Sequence, residues 1–283
     1  MAEVEENCGV CVASELPDVY FTIKALQHRG REAAGIAAIS EERIDVLKWT
    51  GTVDAFDLKD LHKIFPNHHY HTYMAHVRYA TSGRKEPDQI LEDAHPHVIG
   101  GKVEHRGNHV LILDCDAALI HNGQVSEKYL KEVDKTKLKT GSDSEAFLHY
   151  YMEKGESEVL KNIPGSYLVA IADKRKKGVV VLRDRHGIKP GCLFMKGNRF
   201  GIASESVGAE ADYGEVIGDL QMGAAYYLFP DAKRPIPQQI IKADPKHCFF
   251  EWNYVAHINS ILDGLSVRRL REELGREIAK EFK

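Results

Sequence analysis

The chain has 283 residues, 43% of them hydrophobic, with a formal net charge of -4 and a pI near 6.4. This length allows one large domain or two modest ones with a substantial core. This charge balance does not predict a basic surface for binding nucleic acid. No apolar run approaches the roughly 18 residues of a membrane span, and the acidic start is not typical of a signal peptide. Five scattered cysteines indicate free thiols in a cytoplasmic protein.

The first half of the chain predicts short strands and two helices. The apolar run Gly9–Ala13 reads as a buried strand, and apolar residues recur at helical spacing from Val19 to a plausible C-cap at Gly30. A shorter helix is predicted to stop before Pro66. Further strands are predicted at residues 35–39, 44–49, 74–79, 110–113 and 117–120. The last two are expected to form a hairpin around Asp114-Cys115-Asp116.

The second half predicts helices over residues 126–133 and 144–154, followed by more strands. Those strands are predicted at residues 166–172, 179–183, 192–196 and 199–203. Ser266 is positioned to cap an amphipathic terminal helix. Strands in hairpins, interrupted by helices, favour antiparallel sheets covered by helices over alternating βαβ units.

Five stretches of the sequence carry the chemistry. They are Cys8-Gly9-Val10, LQHRGREAAGI (26–36), AHVRYATSG (75–83), IHNGQ (120–124) and GSDSEA (141–146). In this order and spacing they resemble the glutaminase domain of amidophosphoribosyltransferase, a class II glutamine amidotransferase with an N-terminal nucleophile. The resemblance implies an α+β fold, a four-layer αββα sandwich of two antiparallel sheets. It also implies L-glutamine as substrate.

Cys8 is the candidate nucleophile. A cysteine at the start of a mature chain supplies both a thiolate and, in its own α-amino group, a base with a pKa of about 8. Residues 1–7 are therefore expected to be a leader that is removed. Some members of the family carry such a leader. Taken without its context, Cys8 would be a small buried hydrophobe.

Three residues are expected around the substrate and the nucleophile. The planar guanidinium of Arg78 suits a bidentate grip on the α-carboxylate of glutamine, and the resemblance places the Thr81 hydroxyl against the same group. Arg29 is expected to pack beside Cys8 and hold its loop. The alternatives are an exposed strand arginine for Arg78, a turn residue for Thr81 and a surface arginine for Arg29.

Asn122 and Gly123 match an oxyanion hole, in which the Asn amide and the Gly backbone N–H face the carbonyl oxygen. The alternative is a hairpin turn, for which Asn-Gly is a strong signal. Asp143 matches the residue that pairs with the substrate α-ammonium. Because Asp143 could also cap the helix that follows, Ser142 is assigned to the turn and Asp143 to the substrate.

The sequence predicts no metal and no cofactor. The histidine-rich stretches, His68 to His71 and His95-Pro96-His97, lack the cysteine or carboxylate pattern that would complete a zinc site. The second of them matches a loop that borders the glutamine pocket in related amidotransferases. Cys248 matches a cysteine that some members use for an iron–sulfur cluster, but no further ligands accompany it.

The resemblance continues through RDRHGIKPG (183–191) and ASES (203–206) to the segment from Cys248 to Gly275. The expected organisation is a glutamine amidotransferase domain over residues 8–250 and an extension over residues 251–283. The phosphoribosyl-pyrophosphate loop of the family's second domain does not occur in these 283 residues. A possible homo-oligomer is left open.

Three hypotheses follow. The first is a glutaminase that forms a Cys8 γ-glutamyl thioester and passes ammonia to a partner synthase. The second is the glutaminase subunit of a split amidophosphoribosyltransferase of purine biosynthesis. The third is an unprocessed, non-catalytic module that binds glutamine or a partner.

Overall fold

A computed structural model describes residues 7–66, 69–79, 87–229 and 234–282 of the chain. Its strands are β1 (Gly9–Ala13), β2 (Ala33–Ile39), β3 (Ile44–Thr50), β4 (Thr72–Arg78), β5 (His97–Arg106), β6 (His109–Val125), β7 (Gly165–Asp173), β8 (Gly178–Arg183), β9 (Cys192–Lys196), β10 (Arg199–Ala203), β11 (Glu215–Asp219), β12 (Ala224–Leu228), β13 (Gln238–Gln239), β14 (Ile261–Leu262) and β15 (Leu265–Ser266). Its α-helices are α1 (Leu16–Ala25), α2 (Leu58–Ile64), α3 (Pro87–Asp93), α4 (Asp143–Asn162), α5 (Ser206–Glu210) and α6 (Val267–Glu281).

Within the described residues, strands β1 to β13 hydrogen-bond into one continuous antiparallel ladder. Its order is β11-β9-β10-β1-β4-β2-β3-β6-β7-β8-β12-β13, with β5 added to β6. The ladder folds back on itself at β6, so its two halves stack face to face. Val10 and Met74 of the first half share a buried apolar cluster with Leu168 and Val181 of the second half. The two halves are therefore the two sheets of a sandwich.

Helices cover the outer face of each sheet. Val19 and Ile23 of α1 pack with residues of β2 and β4, and Phe147 and Tyr151 of α4 pack with residues of β6 and β7. Because both faces of each sheet are covered, its central strands are largely buried, and every residue of Gly9–Ala13 is buried. This is the predicted four-layer αββα sandwich.

The predicted hairpin around Asp114-Cys115-Asp116 is wrong. Residues 109–125 form the single strand β6, whose first part pairs with β3 and whose second part pairs with β7. Asp114 has a φ of 58°, and its N–H donates to Asp45 Oδ1 at 2.8 Å. This local irregularity redirects the strand from one sheet to the other without reversing it. The actual hairpin partner of β6 is β5, which was not predicted.

The predicted helix over residues 126–133 is also wrong. The structure has only a 3-10 turn at Glu127–Tyr129 there. The terminal helix is confirmed: Ser266 caps α6 and accepts the N–H of Arg269 at 3.4 Å. Among the described residues, no helix is long and apolar enough to cross a membrane.

The expected boundary at residue 250 does not separate two packing units. Glu251 accepts a hydrogen bond from the buried Arg29 at 2.7 Å, and Asp263 accepts two from the buried Arg183, each at 2.8 Å. The start of α6 packs on this segment through Val267, whereas Phe282 near its end is 85% exposed. The first part of the extension therefore belongs to the folded domain.

Candidate active site

Cys8 lies directly before β1, is buried and forms no disulfide with a described residue. Its carbonyl oxygen accepts a hydrogen bond from Arg29 Nε at 2.9 Å. Arg29 is itself buried and comes from a 3-10 turn, Gln27–Arg29, that follows α1. The structure thus places Arg29 behind Cys8, where it fixes the backbone of that residue. No part of the Arg29 side chain is exposed to a substrate.

Two carboxylates complete what we call the anchor cluster: Arg29, Glu205 and Glu251. Arg29 Nη1 donates to both of them, and both are buried. Glu205 also accepts from His28 Nε2 at 2.9 Å and from Ser260 Oγ at 2.6 Å. Burial alone would raise the pKa of Glu205, but the charge of Arg29 and these hydrogen bonds hold it well below its ordinary value. Glu205 therefore stays ionised.

Arg78 ends β4 on the same side of the sheet as Cys8. Gly9 pairs with Val77, so continuing that register places Cys8 opposite Arg78. The guanidinium is largely buried, with ion pairs to Glu32 at 2.7 Å and to Asp93 at 3.5 Å. These acidic partners hold the side chain at the edge of the site. Thr81, the other residue expected at the substrate carboxylate, lies outside the described residues.

Asn122 and Gly123 lie within strand β6, opposite Leu168 and Tyr167 of β7. The Asn-Gly hairpin turn is therefore excluded. Gly123 has a φ of 143°, and a Cβ atom there would lie 1.8 Å from the carbonyl oxygen of Ser166, so glycine is required at this position. Asn122 is fully buried, and neither its Nδ2 nor its Oδ1 has a hydrogen-bond partner among the described residues.

An unpartnered buried amide is costly, by about 1–3 kcal/mol for one polar group. Such a group calls for an explanation in a native fold. A ligand or water that meets the Asn122 amide provides one. The orphaned amide is thus the feature of the site that points most directly to an occupant.

Asp143 is the first residue of α4, and Ser142 is the N-cap, whose side chain accepts the N–H of Ser144 at 3.2 Å. The predicted assignment of Ser142 to the turn is confirmed. Asp143 Oδ2 accepts the N–H of Val125 at 2.7 Å, which ties the start of α4 to the end of β6. This contact places the Asp143 carboxylate next to the strand that carries Asn122 and Gly123.

A hydrogen bond joins the Cys8 side of the site to the Asn122 side. His76, opposite Val10, donates from Nε2 to the carbonyl of His121 at 2.9 Å. Lys189 lies 3.4 Å from the Asn7 side chain, and its carbonyl accepts from Arg183 at 3.1 Å. The predicted residues Cys8, Arg78, Asn122, Gly123 and Asp143 therefore gather at one end of the space between the sheets.

Behind this end lies the histidine cluster: His76, His95, His97 and His121, all buried. The ring of His95 stacks on that of His76 at 4.1 Å and lies 4.6 Å from that of His97. Burial lowers the pKa of each of the four, that of His76 to about 3. The described part of the chain contains no group of three or more histidines, cysteines or acidic residues that could hold a metal ion.

His69 and His71 are not part of this cluster. His68 lies outside the described residues, and His71 contacts the Thr72 hydroxyl at 2.9 Å. Sequence reasoning missed Glu205, Glu251, Lys189 and the inward-facing His76. Glu205 lies within the ASES stretch, which belongs to the resemblance described above. That position could have identified Glu205 as a candidate.

The chain is similar to known glutamine amidotransferases. Residues 104–209 match a family described as a glutamine amidotransferase domain. The amidophosphoribosyltransferase of Archaeoglobus fulgidus is 30% identical over 279 residues, covering 93% of this chain and 55% of that protein. The one from Methanothermobacter thermautotrophicus is 28% identical, covering 99% of this chain and 59% of that protein. The chain thus spans somewhat more than half the length of these curated relatives.

A solved structure shows the same fold. Glutamine phosphoribosylpyrophosphate amidotransferase from B. subtilis, complexed with ADP and GMP, matches with a TM-score of 0.76 and 22% identity, over 97% of this chain and 58% of that chain. The fold is that of the N-terminal-nucleophile hydrolases, and the chain carries a class II glutamine amidotransferase domain. That domain is related to the glutaminase domain of the amidophosphoribosyltransferases.

Proposed function

We propose that the protein hydrolyses L-glutamine to glutamate and ammonia through Cys8. The Cys8 thiolate attacks the side-chain amide carbon, and the tetrahedral intermediate collapses to a γ-glutamyl thioester as the protonated amine leaves as ammonia. Water then attacks the thioester, which releases glutamate and restores the thiol. The observation that carries the proposal is the buried, unpartnered amide of Asn122.

The other predicted residues take complementary roles. Asn122 Nδ2 and the Gly123 N–H donate to the oxygen that becomes negative in the tetrahedral intermediate. Arg78, with Thr81, binds the substrate α-carboxylate, and Asp143 binds the α-ammonium. Arg29 acts as a positioning residue, because its guanidinium holds the Cys8 carbonyl and touches no open space.

Catalysis in this scheme requires Cys8 to begin the mature chain. The free α-amino group then takes the proton from the thiol and delivers it to the leaving amine. In the structure the Cys8 nitrogen is still joined to Asn7, whose side chain contacts Lys189. We therefore propose that residues 1–7 are removed to give the active form, whose domain extends from Cys8 into the docked segment beyond residue 250.

The released ammonia is proposed to pass to a partner synthase, since in water it would largely protonate and cease to be a nucleophile. The matched relatives are amidophosphoribosyltransferases. Because the chain spans little more than half their length, the phosphoribosyl acceptor step of purine biosynthesis would be supplied from outside these 283 residues. A cytoplasmic location follows from this role.

A second candidate uses the same pocket without turnover: an unprocessed module in which the buried Asn122 amide meets the side-chain amide of a bound glutamine. Intact mass and N-terminal sequence of the protein from its native cell, with an assay of glutamate release, separate the two. The enzyme predicts a chain that starts at Cys8, releases glutamate and is silenced by Cys8→Ala. A full-length chain that binds glutamine and releases no glutamate identifies the module and overturns the enzyme.

A further inference from the structure

A second cavity, of about 410 Å³, lies beside the candidate active site. It opens where α3, the β5–β6 hairpin and the start of α4 meet, and neither Cys8, Asn122 nor Asp143 lines it. One wall is apolar and includes Leu91, Val103 and Ile112. The volume falls in the range typical of small-molecule sites, which are mostly apolar with a few polar groups that fix orientation.

The polar end of the cavity is formed by Lys48, which is 6% exposed. Its ammonium donates to the carbonyls of Ala94 at 2.9 Å and of Glu92 at 3.3 Å, which leaves one N–H uncommitted. No carboxylate of the described residues forms an ion pair with it. Burial lowers the pKa of Lys48 to about 8, so the amine remains mostly charged at neutral pH. The charges of Asp93, Glu145 and Glu92 act on the ammonium without forming an ion pair with it. A buried ammonium without a direct ion pair is uncommon in proteins.

A second buried group at this end lacks a hydrogen-bond partner. His97 lines the cavity and is 3% exposed, and its Nε2 makes no hydrogen bond with a described residue. The nearby Glu145 acts on Lys48 through its charge and forms no ion pair with it. Its carboxylate already accepts from the N–H groups of Lys139 and Thr140 and from the Thr140 hydroxyl. Hence a positive charge and an imidazole nitrogen are left for an occupant.

We propose that this cavity binds a small organic monocarboxylate. The carboxylate accepts from the free N–H of Lys48 and from His97 Nε2, with His97 in its Nε2-protonated tautomer. The apolar body of the ligand lies against Leu91, Val103 and Ile112. The inference stands on the cavity, the uncommitted N–H of Lys48 and the unbonded Nε2 of His97, and it is independent of glutamine hydrolysis.

Calorimetric titration of the full chain at neutral pH with octanoate and with 4-phenylbutyrate tests the site. We expect one molecule bound per chain, with the uncharged isostere octanamide binding at least about tenfold more weakly. Lys48→Met should weaken binding of the carboxylate by a similar factor. The matched control is Lys102→Met on the neighbouring strand, where the side chain is 79% exposed and outside the cavity; it should leave the affinity unchanged.

A second variant covers the case in which Lys48→Met fails to fold. Val103→Trp fills the cavity from a strand residue that is 43% exposed, keeps Lys48, and should abolish binding. Three outcomes would overturn the proposal. They are no binding of either carboxylate, equal affinity for octanoate and octanamide, and undiminished binding by either variant. Lys48 would then only cap the carbonyls at the end of α3. Displacement of octanoate by glutamine would also overturn it, because the two sites would be one.

Discussion

The two sides of the candidate site differ in how far their buried polar groups are hydrogen-bonded. Behind Cys8, the anchor cluster is charged, and its carboxylates are bonded to Arg29 and to further donors from the C-terminal segment, although Arg29 Nη2 has no hydrogen-bond partner among the described residues. Around Asn122 and the histidine cluster, the side chains of Asn122 and His95 make no hydrogen bond with a described residue. The bonded side fixes a backbone, whereas the unbonded side leaves donors and acceptors free for a ligand.

This comparison separates positioning from binding. A saturated buried carboxylate such as Glu205 has little capacity left for a substrate, so its loss should affect stability first. An amide without hydrogen-bond partners, such as that of Asn122, does not stabilise the ligand-free protein. Its loss should therefore affect turnover first. Variants on the two sides should therefore fail in different assays.

The largest effect is expected on the bonded side. Glu205→Ala leaves Arg29 buried beside Glu251 alone and removes the acceptor for His28 and Ser260, so the free energy of unfolding should fall by about 3–5 kcal/mol. Urea unfolding of the purified chain measures it. The matched control is Glu273→Ala in the exposed pair with Arg276 on α6, which should change little. Equal behaviour of the two variants would refute a structural role for the anchor cluster.

The next effect is expected on the unbonded side. Asn122→Ala should lower kcat for glutamate release by about 10²–10³-fold, because one oxyanion donor is lost, with no loss of stability. Steady-state kinetics and urea unfolding of the same preparation check both parts. Asn108→Ala, in the exposed turn between β5 and β6, is the control and should match the parent. A stable Asn122→Ala variant with unchanged kcat would remove Asn122 from the oxyanion hole.

Acid should destabilise the unbonded side first. The folded-state pKa values of His76, His95 and His97 are lowered by burial, so the unfolded chain binds more protons below about pH 6.5. Their contribution is complete above that pH and is lost as the pH falls, at roughly 1.4 kcal/mol per pH unit for each neutral histidine. The contribution of Glu205, whose pKa is also lowered, is lost only at more acidic pH.

Unfolding free energies measured at several values between pH 7 and pH 5 test this order. His76→Phe should reduce the slope of the unfolding free energy against pH. His62→Gln on α2, outside the histidine cluster, should leave that slope unchanged. A slope that is the same in all three proteins would show that the cluster is already protonated, or hydrated, in the folded state.

Much of the site was predictable because its residues lie in short motifs. Cys8, Arg78, Asn122 and Asp143 each fall in one of the short stretches on which the resemblance was based. Arg29 pairs with Glu205 and Glu251, which are 176 and 222 residues away. Such pairs leave no local pattern, so the anchor cluster could not be read from periodicity.

The errors in the fold have physical causes of the same kind. Strand β5 was missed because most of its residues are exposed and it carries two adjacent glycines, so it lacks the alternation of a half-buried strand. The sequence predicted two strands in place of β6 because Asp114-Cys115-Asp116 has the composition of a turn. Only the pairing of β6 with β3 on one side and with β7 on the other shows that this segment stays extended.

The smallest effects are expected at two adjacent residues at the start of α4, one on stability and the other on KM. Ser142→Ala removes the N-cap acceptor and should cost about 1 kcal/mol of stability with KM for glutamine unchanged. Asp143→Asn keeps an oxygen for the Val125 N–H but loses the charge that meets the substrate ammonium, so KM should rise by about tenfold with stability nearly intact. Kinetics and urea unfolding of both variants form one experiment, in which each residue is the control for the other. If Asp143→Asn lowered stability and left KM alone, Asp143 would serve only to join α4 to β6, and the ammonium of glutamine would need another partner.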